Sequence, residues 1–485
     1  MIFTTLTFLL FLPTIFLLYW GARRRNLQNA ILLCASYCFY GWWDYRLCAL
    51  IFASSLVDYG VGLCLEKAES ARLRRGLVIL SLTCNLGLLG FFKYFNFFAE
   101  SFAVLANSLG WQVDDVTMHI VLPVGISFYT FQTLSYTIDI YRGRVTPTRN
   151  LLEYLAFVSF FPQLVAGPIE RARSLLPQFC ASREFDYRLA CEGSRRILWG
   201  FFLKMVVADN LGQIVGPVYA APADYGGPMH LWAAFLFSWQ VYFDFAAYSD
   251  IAIGTAQLFG FRLTRNFAYP FFAQTLGELW RRWHITLSTW FRDYVFRPLG
   301  GTLAPVGRRS LAIFLTFAIS GLWHGAAWHF VIWGALHGLL LIPSMTRRSE
   351  GHVRRKDLPG GNGLLPGPAV VFRIFRTFSI FWIASVLFRA ATLGDATLIY
   401  RTILGDLFNA DSYHALGAAV SGSDAVTAGF LFAVIAVEWF GRGADFALQN
   451  LRGPRSARWL VYSGLFWLTL YFGAEQTGEF IYFQF

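Results

Sequence analysis

The sequence predicts an all-α polytopic membrane protein with about 11 transmembrane helices, some of them broken or re-entrant. Three observations carry this. Of the 485 residues, 56% are hydrophobic and only 14% charged, and soluble domains carry nearly twice that charged share. Apolar runs of roughly 20 residues recur along the chain, the length of a helix that crosses a bilayer. The basic residues gather in short stretches between those runs, the pattern that orients membrane proteins.

Candidate spans cover residues 2–20, 28–43, 46–64, 76–94, 119–138, 151–167, 195–218, 229–259, 309–323, 326–344, 372–390, 424–440 and 457–474. The first lacks a basic leader and a small-residue cleavage site, so it reads as a retained span. Gly and Pro fall inside the apolar runs of 119–168 and 300–330. Broken helices are expected there, where protein or water covers the freed backbone. No internal repeat is visible, which counts against a secondary transporter. Arg23, Arg24 and Arg25, then Lys67, Arg72, Arg74 and Arg75, mark cytoplasmic loops and set the N-terminus outside. Arg347, Arg348, Arg354, Arg355 and Lys356 mark the 345–371 loop as cytoplasmic, and Arg442, Arg452 and Arg455 mark 441–456. Residues 477–485 then fall outside. The net charge of +11 is explained by this orientation signal, without nucleic acid as a partner. The seven cysteines (Cys34, Cys38, Cys48, Cys64, Cys84, Cys180, Cys191) lie mostly in apolar runs, show no metal-type spacing and read as small buried hydrophobes.

Residues 274–296 differ from the spans. Leu276, Trp280, Trp283, Leu287, Trp290, Phe291, Tyr294 and Val295 form a helical stripe, with Glu278, Arg281, Arg282, Arg292 and Asp293 on the other side. The pattern predicts one long amphipathic helix at the interface or along a wet cavity. On it His284 would share a face with Arg281 and Ser288.

Polar groups inside apolar segments must find partners, and they often mark function. His324 lies in Ile319-Ser320-Gly321-Leu322-Trp323-His324-Gly325-Ala326-Ala327-Trp328, inside an apolar run of 311–341. An apolar pocket keeps an imidazole neutral, as a general base requires; the competing reading is a structural ring bonded to carbonyls at a helix break. His284 alone reads equally as an interfacial side chain, and His337 as a packing residue between helices. The three histidines bring no carboxylate or cysteine at ligand spacing, so no metal site is expected. Asp139, Asp244 and Asp250 are intramembrane acids, read either as partners of Arg142, Arg262 or Arg281, or as a proton relay. The ending Phe480-Ile481-Tyr482-Phe483-Gln484-Phe485 is four-sixths aromatic. It suits an interfacial anchor or a tail folded back into an apolar cavity.

Several long motifs together resemble the membrane-bound O-acyltransferase family. They are Trp280-Arg281-Arg282-Trp283-His284-Ile285-Thr286-Leu287-Ser288-Thr289-Trp290-Phe291-Arg292-Asp293-Tyr294 with Pro298-Leu299-Gly300-Gly301, Ser320-Gly321-Leu322-Trp323-His324-Gly325, and Trp333-Gly334-Ala335-Leu336-His337-Gly338. Leu122-Pro123-Val124-Gly125-Ile126-Ser127-Phe128-Tyr129-Thr130-Phe131-Gln132 and Phe161-Pro162-Gln163-Leu164-Val165-Ala166-Gly167-Pro168-Ile169 add to them. The resemblance extends over most of residues 1–345 and is nearest to the bacterial branch that acetylates alginate and other exopolysaccharides. Asp244-Phe245-Ala246-Ala247-Tyr248-Ser249-Asp250 keeps the acids of a family motif whose middle reads Ser-Gly in relatives.

The resemblance implies one acyltransferase domain over 1–485 in the bacterial inner membrane, with a histidine in a membrane-embedded funnel and an outward tail at 477–485. His324 takes the position of the family's essential histidine and His284 that of a second one. The donor implied is acetyl-CoA, with no permanently bound cofactor. His324 would be the general base, and His284 would orient or polarise the thioester. Arg281, Arg282 and Trp283 would form the donor-binding patch. Tyr482 matches a short tail motif in which a tyrosine carries the acyl group, to be passed to an extracytoplasmic partner acetyltransferase and on to a polysaccharide. D-alanyl export and a non-catalytic transporter or scaffold are the alternatives.

Overall fold

A computed structural model describes residues 1–114, 117–346, 358–361, 363–419, 422–474 and 480–481, and among these it contains helices and no strand. The α-helices are α1 (Leu6–Gly21), α2 (Arg25–Gly41), α3 (Leu47–Lys67), α4 (Ala71–Leu89), α5 (Phe95–Ser108), α6 (Ile126–Tyr141), α7 (Leu151–Ser159), α8 (Phe161–Leu164), α9 (Ala172–Cys180), α10 (Tyr187–Phe202) and α11 (Asp209–Ala220). They continue as α12 (Gly227–Leu258), α13 (Leu276–Arg282), α14 (Ile285–Phe291), α15 (Val306–His324), α16 (Trp328–Thr346), α17 (Pro368–Arg389), α18 (Leu393–Asp406), α19 (Ala410–Ala419), α20 (Gly422–Gly441) and α21 (Arg455–Phe472). π-helical turns at Gly90–Tyr94 and Leu203–Ala208 join α4 to α5 and α10 to α11.

Among the described residues, five helical stretches are long and apolar enough to cross a bilayer: Leu47–Lys67, Ala71–Ser108, Tyr187–Ala220, Pro368–Arg389 and Gly422–Gly441. Leu6–Gly21 and Trp328–Ser344 are shorter apolar helices. The membrane fold stands, while these helices alone do not reach the count of about 11. Their outer faces are built for lipid: Leu6 is 72% exposed, Phe372 65% and Phe440 61%. In water such faces would aggregate.

The chain divides into two compact units. The first comprises Met1–Gly193 and Ala252–Thr264, the second Ser194–Ile251 and Arg265–Phe485. In the first, α3, α4 and α6 meet around a buried polar cluster. Asp58 accepts from Asn85 Nδ2 at 2.8 Å and Thr137 Oγ1 at 3.1 Å, and Asn85 Oδ1 accepts from Ser54 at 2.9 Å and Thr133 at 3.1 Å. Interhelical polar bonds of this kind join membrane helices where lipid offers no hydrophobic driving force. The 119–138 span begins later than its composition predicts: Gly125 turns at φ +74° and α6 starts at Ile126.

In the second unit α15 packs closely against α16. A Cβ at Gly321 would lie 2.1 Å from the Phe330 carbonyl oxygen, and one at Gly334 2.2 Å from that of Phe317. Gly334 and Gly338, four apart on α16, lie against the backbone of α15 at Gly321 and Phe314, so these small residues let the two backbones touch. These glycines, prominent in the family-like motifs, therefore have a packing role. That packing sets the end of α15, where His324 sits.

The long amphipathic helix expected over 274–296 is broken. α13 ends at Arg282, Trp283 is extended, and His284 is left-handed at φ +40° before α14 begins at Ile285. Arg281, His284 and Ser288 therefore do not share a helix face. The break is captured by a neighbouring segment: Ala268 N–H donates to Arg282 O at 2.9 Å, and Ile285 N–H to Asn266 O at 2.8 Å. Periodicity continues through the break because both short helices turn their apolar residues inward.

Candidate active site

His284 is fully surrounded by protein, 1% exposed, and its backbone is one of two non-glycine residues with positive φ among those described. Such a conformation persists only where the surroundings impose it. Asn266 does so. Its Oδ1 lies 3.1 Å from His284 Nδ1 and accepts from Thr286 Oγ1 at 2.9 Å and Thr286 N at 3.4 Å, while its Nδ2 donates to Ser249 Oγ at 3.2 Å. These bonds orient the amide, so Oδ1 faces the ring and Nδ1 carries the hydrogen. Nε2 is left with its lone pair, and no described group hydrogen-bonds it. Phe245 stands edge-on at 4.6 Å and Phe267 at 6.2 Å. His284 lies between α13 and α14, outside the long apolar helices, and burial pulls its pKa down from 6.5 to about 3. The ring is neutral at physiological pH.

His324 is the last residue of α15, and the extended Gly325 ends the helix. The imidazole is 3% exposed. Trp333 lies at 5.4 Å and Phe388 at 5.3 Å, both near-perpendicular. Trp323 joins the two histidines: its indole is 6.1 Å from His284 and 5.0 Å from His324. The structure thus brings together two imidazoles 40 positions apart in sequence. His337 is elsewhere in role, since its Nδ1 donates to Trp333 O at 2.9 Å within α16 and its ring packs on Trp280 at 5.2 Å.

Of the C-terminal tail, Phe480 and Ile481 are described and both are buried, 1% and 3% exposed. Phe480 packs on Phe245 at 5.4 Å and Tyr248 at 4.7 Å. Phe245 is the same ring that walls His284. Tyr482 lies outside the described residues.

Residues 145–349 match the model of the MBOAT, membrane-bound O-acyltransferase, family. The chain is 38% identical over 406 residues to the probable alginate O-acetylase of Azotobacter vinelandii, covering 83% of this chain and 78% of that one. It is 33% identical over 440 residues to the peptidoglycan O-acetyltransferase of Helicobacter pylori, covering 83% and 79%. It is 28% identical over 312 residues to the teichoic acid D-alanyltransferase of Streptococcus thermophilus, covering 60% and 75%. The chain belongs to the membrane-bound O-acyltransferase family.

The remaining acyltransferase residues named from the sequence are dispersed. Arg281 is exposed. Arg282 Nε is 2.9 Å from Glu278 Oε1. Trp283 is 3% exposed, stacked on Phe271 at 5.7 Å and against Phe381 at 4.9 Å. The intramembrane acids take partners other than those expected. Asp244 pairs with Lys204 at 2.6 Å, Asp250 with Arg196 at 2.7 Å and Asp139 with Arg144 at 3.6 Å. Packing brings Lys204 and Arg196 to Asp244 and Asp250, and the turn that follows α6 brings Arg144 to Asp139. Sequence reasoning missed Asn266 and Lys204. Lys204 had a signal, as a lysine inside an apolar run; Asn266 had none, because its role comes from contacts with residues 18 and 20 positions away.

Proposed function

We propose that this acyltransferase takes acetyl from cytosolic acetyl-CoA and delivers it across the bacterial inner membrane for O-acetylation of an extracytoplasmic polysaccharide, alginate-like exopolysaccharide being favoured. The observation that carries the reading is the pair of buried imidazoles sharing Trp323, with the C-terminal tail docked one ring from His284. The names of the alginate and peptidoglycan relatives favour acetyl over D-alanyl.

In this reading His324 is the general base. It removes the proton of the acceptor hydroxyl while that oxygen attacks the thioester carbonyl; the C–S bond breaks and the imidazolium returns the proton to the leaving thiolate. Trp323, Trp333 and Phe388 wall the ring on its apolar sides. His284, with Nδ1–H committed to Asn266, offers a lone pair at Nε2. It can hold an O–H or N–H donor of either substrate. It cannot donate to the thioester oxygen, so its role is orientation rather than polarisation. Arg281 offers an exposed guanidinium to the CoA phosphates, with Arg282 and Trp283 framing it from the protein side. The first acceptor is the phenol of Tyr482, and a partner acetyltransferase outside then moves acetyl to the sugar.

The test is thioester turnover by purified protein, with mass spectrometry of the cell's polysaccharide. His324→Ala should lower acetyl transfer at least about 100-fold, the contribution of a well-placed general base. Transfer above about a tenth of the wild-type rate rules the base role out. Polysaccharide carrying D-alanyl in place of acetyl reassigns the donor.

A further inference from the structure

The C-terminal segment is gripped by its backbone at two points of the second unit, Met205 on an irregular turn and Asp244 on α12, which is paired to Lys204 of that same turn. α10 passes into the π-helical turn Leu203–Ala208 before α11 resumes. A π-turn carries an extra residue and disturbs the regular ladder, so a carbonyl becomes available to an outside donor. Met205 O accepts Ala474 N–H at 3.1 Å. Gly473 lets the chain turn tightly off the end of α21 just before this bond, since a Cβ there would lie 2.4 Å from the Thr469 carbonyl oxygen. Next to Met205, Lys204 places its ammonium 2.7 Å from Asp209 and 2.6 Å from Asp244. The ammonium takes one oxygen of Asp244; the other accepts Ile481 N–H at 2.8 Å. Hydrogen bonds to an ionised acceptor are about twice as strong as neutral ones, and more so away from water.

We propose that Asp244, braced by Lys204, is a positioning residue for the C-terminal segment: with the Met205 carbonyl it clamps the backbone on both sides of residues 475–479 and sets the register of the tail. Phe480 is seated between Phe245 and Tyr248 by the same grip, which fixes the tail against the wall of His284. A contact to one named N–H fixes register where an aromatic tail alone could slide. The clamp stands on this geometry; only its consequence for catalysis rests on the reading that the tail accepts acetyl.

The experiment is cleavage by a glutamate-specific protease after Glu479, on full-length protein in detergent, followed by mass spectrometry of the released C-terminal peptide. Asp244→Ala should be cut at least about tenfold faster than wild type, the effect of losing a charge-assisted bond. Asp244→Asn keeps an oxygen acceptor and should stay near the wild-type rate, which loss of a merely structural ion pair would not produce. Ile481→Pro leaves the buried acids and Lys204 in place, removes the N–H donor together with the isoleucine side chain, and should be cut at least as fast as Asp244→Ala. Equal cleavage of wild type, Asp244→Ala and Ile481→Pro overturns the clamp. Faster cleavage in the variants with undiminished acetyl transfer supports the clamp and overturns the tail's role as acyl acceptor instead.

Discussion

His284 combines a left-handed backbone, a side chain locked by Asn266 and a ring without water around it. Its depressed pKa has a consequence for stability. The folded ring takes up its proton near pH 3 rather than 6.5. Between those values the unfolded chain binds the proton and the folded chain does not. The stabilisation is therefore fully present above about pH 6.5 and is lost as pH falls towards 3. His284→Gln removes the titration, so its thermal midpoint should fall less than that of wild type between about pH 6.5 and 4. Thermal unfolding in detergent across that range checks this; parallel curves would mean that the ring is solvated. The two catalytic candidates were legible because each sits in a long motif. Their supporting residues were not, since Asn266 and Lys204 acquire their roles from segments distant in sequence.

At the scale of elements, apolar runs and periodicity located most of the long helices, because in a membrane the helix is the form that satisfies its own backbone. They did not reveal the break at Trp283-His284, where hydrogen bonds to Asn266 and Ala268 override a continuous stripe. The α15–α16 contact yields a graded prediction. Gly334→Val forces the two backbones apart and should cost about 1–3 kcal/mol or more. It should also reduce activity, because the adjacent Trp333 packs on His324. Gly307→Ala, on the same hairpin with nothing within 4 Å of the added carbon, should be neutral or slightly stabilising. Thermal midpoints and turnover of the two variants make the comparison. The 345–371 loop also departs from its composition, which suggests a dispensable Pro- and Gly-rich connector. Arg442, at the end of α20, donates to Pro359 O at 3.1 Å, Gly361 O at 3.4 Å and Gly363 O, and Trp439 Nε1 to Leu364 O at 2.8 Å. Pro359, Gly361, Gly363 and Leu364 are therefore docked in the second unit. Arg442→Ala leaves those carbonyls without their donor and should destabilise by about 1–3 kcal/mol, read as a lowered thermal midpoint; an unchanged midpoint would return this stretch to the status of a connector.

On the scale of the whole molecule, the chain uses its outer faces for lipid and places three of its buried polar side chains where a helix is irregular. The π-turn carries Lys204, the break carries His284, and the end of α15 carries His324. The tail adds a segment that charge counting sets outside and that is buried at Phe480 and Ile481. A terminus bound in this way is either an anchor or a participant, and Tyr482 separates the two. A free phenol has a pKa near 10, so attack on a thioester needs the base that His324 supplies. Tyr482→Phe keeps the aromatic ring and removes only the nucleophilic oxygen. Folding should survive, protease resistance at Glu479 should persist because the backbone grip on Ile481 is untouched, and acetyl export should cease. Incubating wild type with acetyl-CoA in the absence of an outward partner should leave an acetyl adduct on the C-terminal peptide, detectable by mass spectrometry and missing from Tyr482→Phe. An anchor predicts the reverse, since phenylalanine serves an interface about as well as tyrosine. Full export by Tyr482→Phe, with no adduct on the wild-type tail, would leave acetyl passing directly from CoA to an acceptor held by the partner, with the docked tail acting only to close the protein around its two histidines.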